Sequence, residues 1–237
     1  MDQRLHLITT CTLRKAGRVA DRVFPSAAAT PDAALERWQG LINQAMCEPS
    51  NVRATGELYR GASWLRARSI ASRWPGTELW AMSAGLGLRH HSDPAVTYEA
   101  TFHAMPFAPA EIWARLTTRP PVPGRSASLA RLMQSCPDDR FIIAGSPVYV
   151  SAAERDILAG IPALREAGQL TIVTSKGYRG PLEPWVKRSS ASMMTALKSN
   201  MTCLNIACAG ALIDSMMCAD ALTAGFSSGP VLLPALS

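Results

Sequence analysis

Short apolar runs rich in β-branched residues alternate in this sequence with segments of helical pattern. Strands are predicted at four such runs, residues 5–11, 77–88, 140–150 and 169–177. With the helical segments between them, the order along the chain is β-α-α-β-α-β-α-β-α-α. This alternation predicts a single α/β domain with a central, mostly parallel sheet, flanking helices and a helical C-terminus.

The helical segments are marked by capping and stop residues. Thr30 and Pro31 are typical of a helix start, and Pro75 with Gly76 of a helix end. Helices are predicted at 30–46, 56–74, 109–117, 151–168, 189–200 and 202–222. We expect residues 1–188 to form the α/β core with a positive cleft, and residues 189–237 to form helices packed on the core or on a partner.

The charge balance favours an anionic partner. The chain has 237 residues and a net charge of +6, and residues 1–75 hold eleven Lys or Arg against six Asp or Glu. A basic region of this kind is typical of proteins that bind DNA, RNA or a nucleotide. Scattered, solvated arginines would give the same balance, so this alternative stays open.

Composition argues against a bound metal or a nucleotide cofactor of the common types. No pair among the six cysteines has the C-x-x-C spacing, and there are four histidines. Gly85 and Gly87 lack the third glycine and the following helix of a dinucleotide fingerprint, and no P-loop motif is present. We therefore predict no metal and no cofactor.

The N-terminus and the apolar tail both bear on location. Asp2, Arg4 and His6 interrupt the first residues, which does not fit a signal peptide. Residues 201–226 are strongly apolar but include Asn205 and Asp214, whereas a membrane span has few or no charges. We expect a cytoplasmic protein with free thiols and a C-terminal helix that is buried or docks on a protein partner.

The four predicted strands end in similar residues. Small polar side chains and glycines recur where the apolar runs end, Lys15 and Lys176 follow two of them, and carboxyl ends of parallel strands meet at one edge of a sheet. A crevice there, with hydroxyls, open backbone N–H groups and two lysines, would suit a phosphate, a sugar or a base edge. Turns favour the same residue types, which is the structural alternative.

The segment at 57–73 mixes basic and aromatic residues. Helical spacing places Leu58, Ala62, Leu65 and Ser69 towards the core, and stacks Arg60, Trp64 and Arg68 on another face. Such interleaving suits contact with phosphates and stacking on bases. An amphipathic helix whose arginines cover its own surface is an equal alternative.

Four short motifs occur in a recognisable order: Thr10-Cys11 with Arg14-Lys15, Leu58-Tyr59 with Leu65, Ser83-Ala84-Gly85-Leu86-Gly87-Leu88, and Tyr98 with Thr101-Phe102. This order resembles proteins related to the YaaA peroxide-stress family and to the core of archaeosine synthase. The resemblance covers roughly the first 105 residues. It implies an α/β fold with a positive cleft that binds DNA or acts on a modified nucleobase, although Arg89-His90-His91 departs from the pattern.

The strand ends and the resemblance together define the predicted site. Cys11 and Glu99 are the candidate catalytic residues, Cys11 as a nucleophile and Glu99 as the carboxylate that breaking an N-glycosidic bond requires. A binding role for Cys11, holding a base or sugar together with Thr10, is favoured over nucleophilic attack, and a solvent-facing Glu99 is the structural alternative. Predicted substrate-binding residues are Thr10, Lys15, Tyr59, Ser83, Gly85, Gly87, Tyr98, Thr101, Ser146, Tyr149 and Lys176. Predicted contacts to nucleic acid are Arg60, Arg68 and His90.

Two functions remain open from the sequence. One is an enzyme that acts on a nucleobase or an N-glycosidic bond in DNA or RNA. The other is a DNA-binding component without turnover, for example in a stress-response or antiviral assembly. A thiol sensor based on Cys11 is a third and weaker alternative.

Overall fold

A computed structural model describes residues 3–19 and 21–223. Its strands are β1 (Leu5–Thr10), β2 (Arg53–Ala54), β3 (Thr77–Ser83), β4 (Gly87–His90), β5 (Pro94–Ala95), β6 (Arg140–Ala144), β7 (Leu170–Ser175) and β8 (Val186–Ser189). Its α-helices are α1 (Pro31–Met46), α2 (Thr55–Leu58), α3 (Ala62–Arg73), α4 (Pro109–Thr118), α5 (Leu129–Ser135), α6 (Pro147–Gly160) and α7 (Leu204–Thr223).

Six strands form the central sheet in the order β4-β3-β1-β6-β7-β8, and β2 pairs with β5 separately. All neighbours in the central sheet are parallel except β3 and β4, which form a hairpin. The predicted α/β domain with a mostly parallel central sheet is therefore confirmed. The carboxyl ends of β1, β3, β6, β7 and β8 lie at one edge.

The order of the parallel strands contains a switch point. From β1 the chain passes to β3 on one side, and it later continues with β6 on the other side of β1. Because crossovers between parallel strands are right-handed, the helices before β3 and after β6 cover opposite faces. Accordingly α3 packs with α7, whereas α6 packs with α4 and α5. In such sheets ligands bind outside the carboxyl ends at the switch point.

The predicted helix over 56–74 is wrong in its first part and in its orientation. The chain forms the short α2, an extended segment at Tyr59–Gly61, and only then α3. Trp64 is fully buried and donates its indole N–H to the carbonyl of Gly56, while Leu65 is exposed. The stripe of Arg60, Trp64 and Arg68 therefore does not exist as one surface.

Two further boundaries differ from prediction. The strand predicted at 140–150 is β6, and it ends at Ala144. Helix α6 begins at Pro147 after the N-cap Ser146, because the fixed φ of proline suits the first position of a helix. Residues 189–200 are not a helix. They contain the end of β8 and a short 3-10 turn at Ala191–Met193. Helix α5, at Leu129–Ser135, was not predicted.

The apolar helix α7 confirms the helix predicted at 202–222. Among the described residues, one helix, at Met201–Ala219, is long and apolar enough to cross a membrane by length and composition. In the structure α7 packs on β6, β7, β8 and α3, and buries Leu204, Ile206 and Ile213. Residues 224–237 of the predicted C-terminal segment lie outside the described residues.

Candidate functional site

A cavity of about 460 Å³ opens at the switch point between β1 and β6. This volume is in the range of small-molecule sites. Its walls come from the loop after β1, the first turn of α3, the loop after β6, and the start of α7. The lining residues are Thr9, Thr10, Cys11, Thr12, Leu13, Arg14, Gly61, Ala62, Ser63, Ala144, Gly145, Ser146, Met201, Thr202, Asn205 and Ile206.

The cavity has a positive electrostatic character without a compensating acid. The chain holds 18 Asp or Glu residues, yet none lines this cavity, whereas Arg14 does. The helices α3 and α6 both begin here, and neither Gly61 nor Ser146 caps its helix through a side chain. The N–H groups of Ala62 and Ser63 in α3 are open, whereas in α6 Pro147 has no N–H and those of Tyr149 and Val150 donate to the carbonyl of Ser146, so α6 contributes mainly its dipole to the binding of an anion here.

Asn205 is a cavity residue that the sequence did not reveal as functional. Its Nδ2 donates to the carbonyl of Gly145 at 2.7 Å, and its Oδ1 accepts from the Ser189 hydroxyl at 2.6 Å. It thus ties α7 to the loops after β6 and at the end of β8. The only signal for it was a polar side chain within the apolar tail.

Beside the cavity, three hydroxyls form a buried chain. Ser83 Oγ lies 2.5 Å from the Tyr98 hydroxyl, which lies 2.9 Å from the Tyr59 hydroxyl. Ser83 Oγ also accepts the backbone N–H of Leu86 at 2.9 Å and of Gly85 at 3.3 Å. Burial raises the pKa of both tyrosines above its usual value, so both stay protonated.

Gly85 is required for this arrangement by space. A Cβ on Gly85 would lie 2.7 Å from the Tyr98 ring. The carbonyl of Gly85 also accepts the indole N–H of buried Trp38 at 2.7 Å. Gly85 therefore lets Tyr98 approach the turn after β3, while Gly87, with a φ of +74°, sustains that turn at the start of β4.

Lys15 packs against the same tyrosines. Its Nζ lies 4.3 Å from the centre of the Tyr98 ring and 3.4 Å from the carbonyl of Leu13. Burial lowers the pKa of Lys15 below its usual value, an effect opposed by Cys11 and by the exposed carboxylate of Glu99. Among the described residues no carboxylate forms an ion pair with this ammonium group.

Cys11 belongs to both the cavity and this cluster. It lines the cavity, and its Sγ lies 3.3 Å from the hydroxyl of Tyr149 in the first turn of α6. Burial and the neighbouring Cys11 raise the pKa of Tyr149. The structure therefore brings Thr10, Cys11 and Ser146 into one cavity, and places Lys15, Tyr59, Ser83, Tyr98 and Tyr149 in the adjoining cluster. We call this second group, with Cys11, the hydroxyl cluster.

Several predicted site residues lie elsewhere. Lys176 is exposed and does not line the cavity, Thr101 is half-buried in a turn, and Glu99 is exposed outside the cavity. Arg60 lies beside the loop after β1, where its backbone N–H donates to the carbonyl of Arg14. Arg68 is exposed on the outer side of α3.

His90 was predicted to contact nucleic acid, and this prediction is wrong. It is 1% exposed, and it lies towards the opposite edge of the sheet, paired with Trp80 of β3. Its Nε2 lies 2.6 Å from Glu78, and its Nδ1 accepts the backbone N–H of Ser92. Both ring nitrogens are thus used within the fold.

The same edge carries His6, Asp139 and Cys136, whose side chains are close enough to share a metal ion. However, His6 Nδ1 accepts the indole N–H of Trp80 at 3.1 Å, and Nε2 lies 2.9 Å from Asp139. Because a neutral imidazole carries one proton, Nε2 must hold it and donate to Asp139. This hydrogen-bond pattern leaves no ring nitrogen free for a metal.

No protein-family model, curated protein or solved structure matches the chain.

Proposed function

We propose that the cavity between β1 and β6 binds a nucleotide, either free or as a unit of DNA or RNA. The observation that carries this proposal is the convergence of Arg14, the open N-terminus of α3 and the positive end of the α6 dipole on a nucleotide-sized cavity that no carboxylate lines. The phosphate would accept hydrogen bonds from the first turn of α3. This role also fits the predicted relationship to YaaA-like proteins in a cytoplasmic setting.

The chemistry of the cavity favours binding over glycosidic-bond cleavage. Cleaving or exchanging a base requires a carboxylate near the anomeric carbon, and Glu99 is exposed outside the cavity. Of the two predicted catalytic residues, only the nucleophile candidate Cys11 lines the cavity. We therefore propose that the protein binds nucleotides without turnover. In the cell it would act as a non-catalytic nucleic-acid-binding component.

A charge placed at the start of α3 tests the proposal. Ala62 is exposed and is the first residue of α3. In Ala62→Glu a carboxylate would occupy the anion position while also favouring the helix N-terminus, so the fold is preserved. We expect Ala62→Glu to weaken binding of nucleoside monophosphates by about tenfold or more, because like charges would then meet.

The matched control is Ala62→Gln, which has the same shape without the charge. Its affinity, measured by isothermal titration calorimetry, should stay within about threefold of wild type, since the neutral amide neither attracts nor repels the phosphate. Equal affinity of the Glu and Gln variants would show that no phosphate binds at this helix. An absence of binding by any nucleoside monophosphate to the wild type would contradict the proposal altogether.

A further inference from the structure

A shallow groove adjoins the cavity where the chain approaches the start of α7. It is formed by residues of the segment 194–202, among them Thr195, Lys198 and Asn200. Met201 and Thr202 line both the groove and the cavity, so the two depressions lie side by side and share a wall. A ligand that fills the cavity can therefore continue along the surface into this groove, which we call the 194–202 groove.

The 194–202 groove continues the electrostatic character of the cavity. No Asp or Glu lines either depression, and each has one basic side chain, Arg14 in the cavity and Lys198 in the groove. Other depressions of the described surface differ, since Asp32 lines one and Glu78 another. Two separate cations on a continuous surface without acids match a ligand that carries successive phosphates.

The backbone that presents Lys198 is held in an unusual conformation. Among the described residues Lys198 is the one non-glycine residue with a positive φ, at +44°. Arg66 of α3 fixes this turn, because its guanidinium donates to the carbonyl of Leu197 at 2.8 Å and to that of Lys198 at 3.2 Å. Left-handed conformations of this kind are kept only where the surroundings impose them, and they are frequent at ligand sites.

Exposed apolar side chains stand where the bases of such a ligand would lie. Among the described residues four large apolar side chains are exposed, and two of them, Leu13 at 74% and Met201 at 64%, line the cavity. They come from different walls, since Leu13 follows β1 and Met201 precedes α7. Because Met201 also lines the 194–202 groove, one base in the cavity and one in the groove would both pack against it.

We propose that the cavity and the 194–202 groove together bind two successive nucleotides of a single strand of DNA or RNA. This proposal rests on the proposed nucleotide function and names its ligand as an oligonucleotide. One phosphate binds at Arg14 and the start of α3, the next binds at Lys198, and Met201 packs between the two bases. A base that enters the cavity has left its pair and its stack, so the strand is single at this point.

Calorimetry on the full chain with thymidine monophosphate and the 5′-phosphorylated thymidine dinucleotide tests the proposal. We expect the dinucleotide to bind about tenfold or more tightly, since it adds one phosphate contact and one packed base. Its log affinity should also fall more steeply with log salt concentration, by about 0.7 in slope. Equal affinities and equal slopes would overturn the proposal while leaving the nucleotide site intact. If neither ligand binds wild type, the proposed function fails, and this proposal fails with it.

A variant locates the second phosphate. Lys198→Met removes the charge and keeps an unbranched side chain, so it should reduce the advantage of the dinucleotide to within about threefold and remove the additional salt slope. Its affinity for thymidine monophosphate should equal that of wild type. Lys187→Met, at an exposed position of β8, is the matched control and should keep the full advantage. A full advantage and slope in Lys198→Met would overturn the assignment of the groove.

Two further ligands define the class of strand. The uridine dinucleotide is measured beside the thymidine dinucleotide, and the tighter binder identifies the strand as RNA or DNA, either of which supports the proposal. A thymidine strand of about ten nucleotides should bind about tenfold or more tightly than the same strand paired with its complement, because pairing keeps the base out of the cavity. Equal binding of the duplex would overturn the proposal.

Discussion

Replacing Arg89 by Met should destabilise the protein by about 3–5 kcal/mol, because it removes a buried guanidinium that donates to three backbone carbonyls and lies beside the buried Asp93 carboxylate. Arg89 is 0% exposed. Its guanidinium donates to the carbonyls of Val122 at 2.6 Å, Pro94 at 2.7 Å and Pro123 at 3.0 Å, and lies 3.9 Å from Asp93. In the variant the buried carbonyl of Val122 would lose its donor, and the buried Asp93 would lose its nearby positive charge while keeping its hydrogen bonds from the backbone N–H groups of His90 and Arg125.

The measurement is urea denaturation of Arg89→Met beside two comparison variants. Arg89→Lys should give an intermediate loss, since one ammonium group cannot replace a planar fork that reaches three carbonyls. Arg125→Met removes an arginine that is 56% exposed and 3.7 Å from Glu78, and should cost less than about 1 kcal/mol. If Arg89→Met were as stable as Arg125→Met, the loop at 119–126 would not depend on Arg89.

Acidification should destabilise the fold well above the pH at which carboxylates titrate. Burial lowers the pKa of His90 from 6.5 to about 4, with a further contribution from His91 and opposition from Glu78. The unfolded chain therefore binds a proton below pH 6.5, whereas the folded chain does so only near pH 4. Stability from this group is complete above pH 6.5 and is lost between pH 6.5 and 4.

The expected loss is about 3 kcal/mol at pH 4 and about 2 kcal/mol at pH 5, relative to pH 7.5. Burial also lowers the pKa of His6, which acts in the same direction. Denaturation curves of wild type and His90→Gln at pH 7.5, 5 and 4 isolate the effect of His90, because only wild type should lose this part of its free energy of unfolding. The same pH dependence in both proteins would mean that His90 titrates normally in the folded state.

Four parallel strands of the sheet, β1, β3, β6 and β7, were predictable because they contain short runs of apolar and β-branched residues, whereas β8 carries Lys187 and Arg188 and was not predicted. A run such as Phe141–Ala144 has no helical periodicity, so that it is assigned to a strand without ambiguity. The glycines and prolines after the runs mark where the strands end. The boundary before α6 was missed because apolar Val148, Tyr149 and Val150 extend the strand pattern into a helix. There Pro147 and Ser146 decided the local structure.

Of the site, the sequence indicated which strand ends matter but not which face each side chain takes. Cys11, Thr10 and Ser146 share a cavity because β1 and β6 are neighbours, and only the strand order could show that. Ser83 was expected in an open crevice, yet it is fully buried and hydrogen-bonded to Tyr98. Trp64 was expected on the surface because one continuous helix was assumed. The break at Tyr59–Gly61 shifts the phase of the helical pattern, and Trp64 is buried instead.

The most direct test of the central claim is a crystal structure of the full chain with inosine monophosphate. We predict that the phosphate accepts hydrogen bonds from backbone N–H groups in the first turn of α3, beside Cys11 at the carboxyl ends of β1 and β6. A nucleotide bound instead at the opposite edge of the sheet, near His6 and Asp139, would contradict the claim. An empty cavity at saturating ligand would contradict it equally.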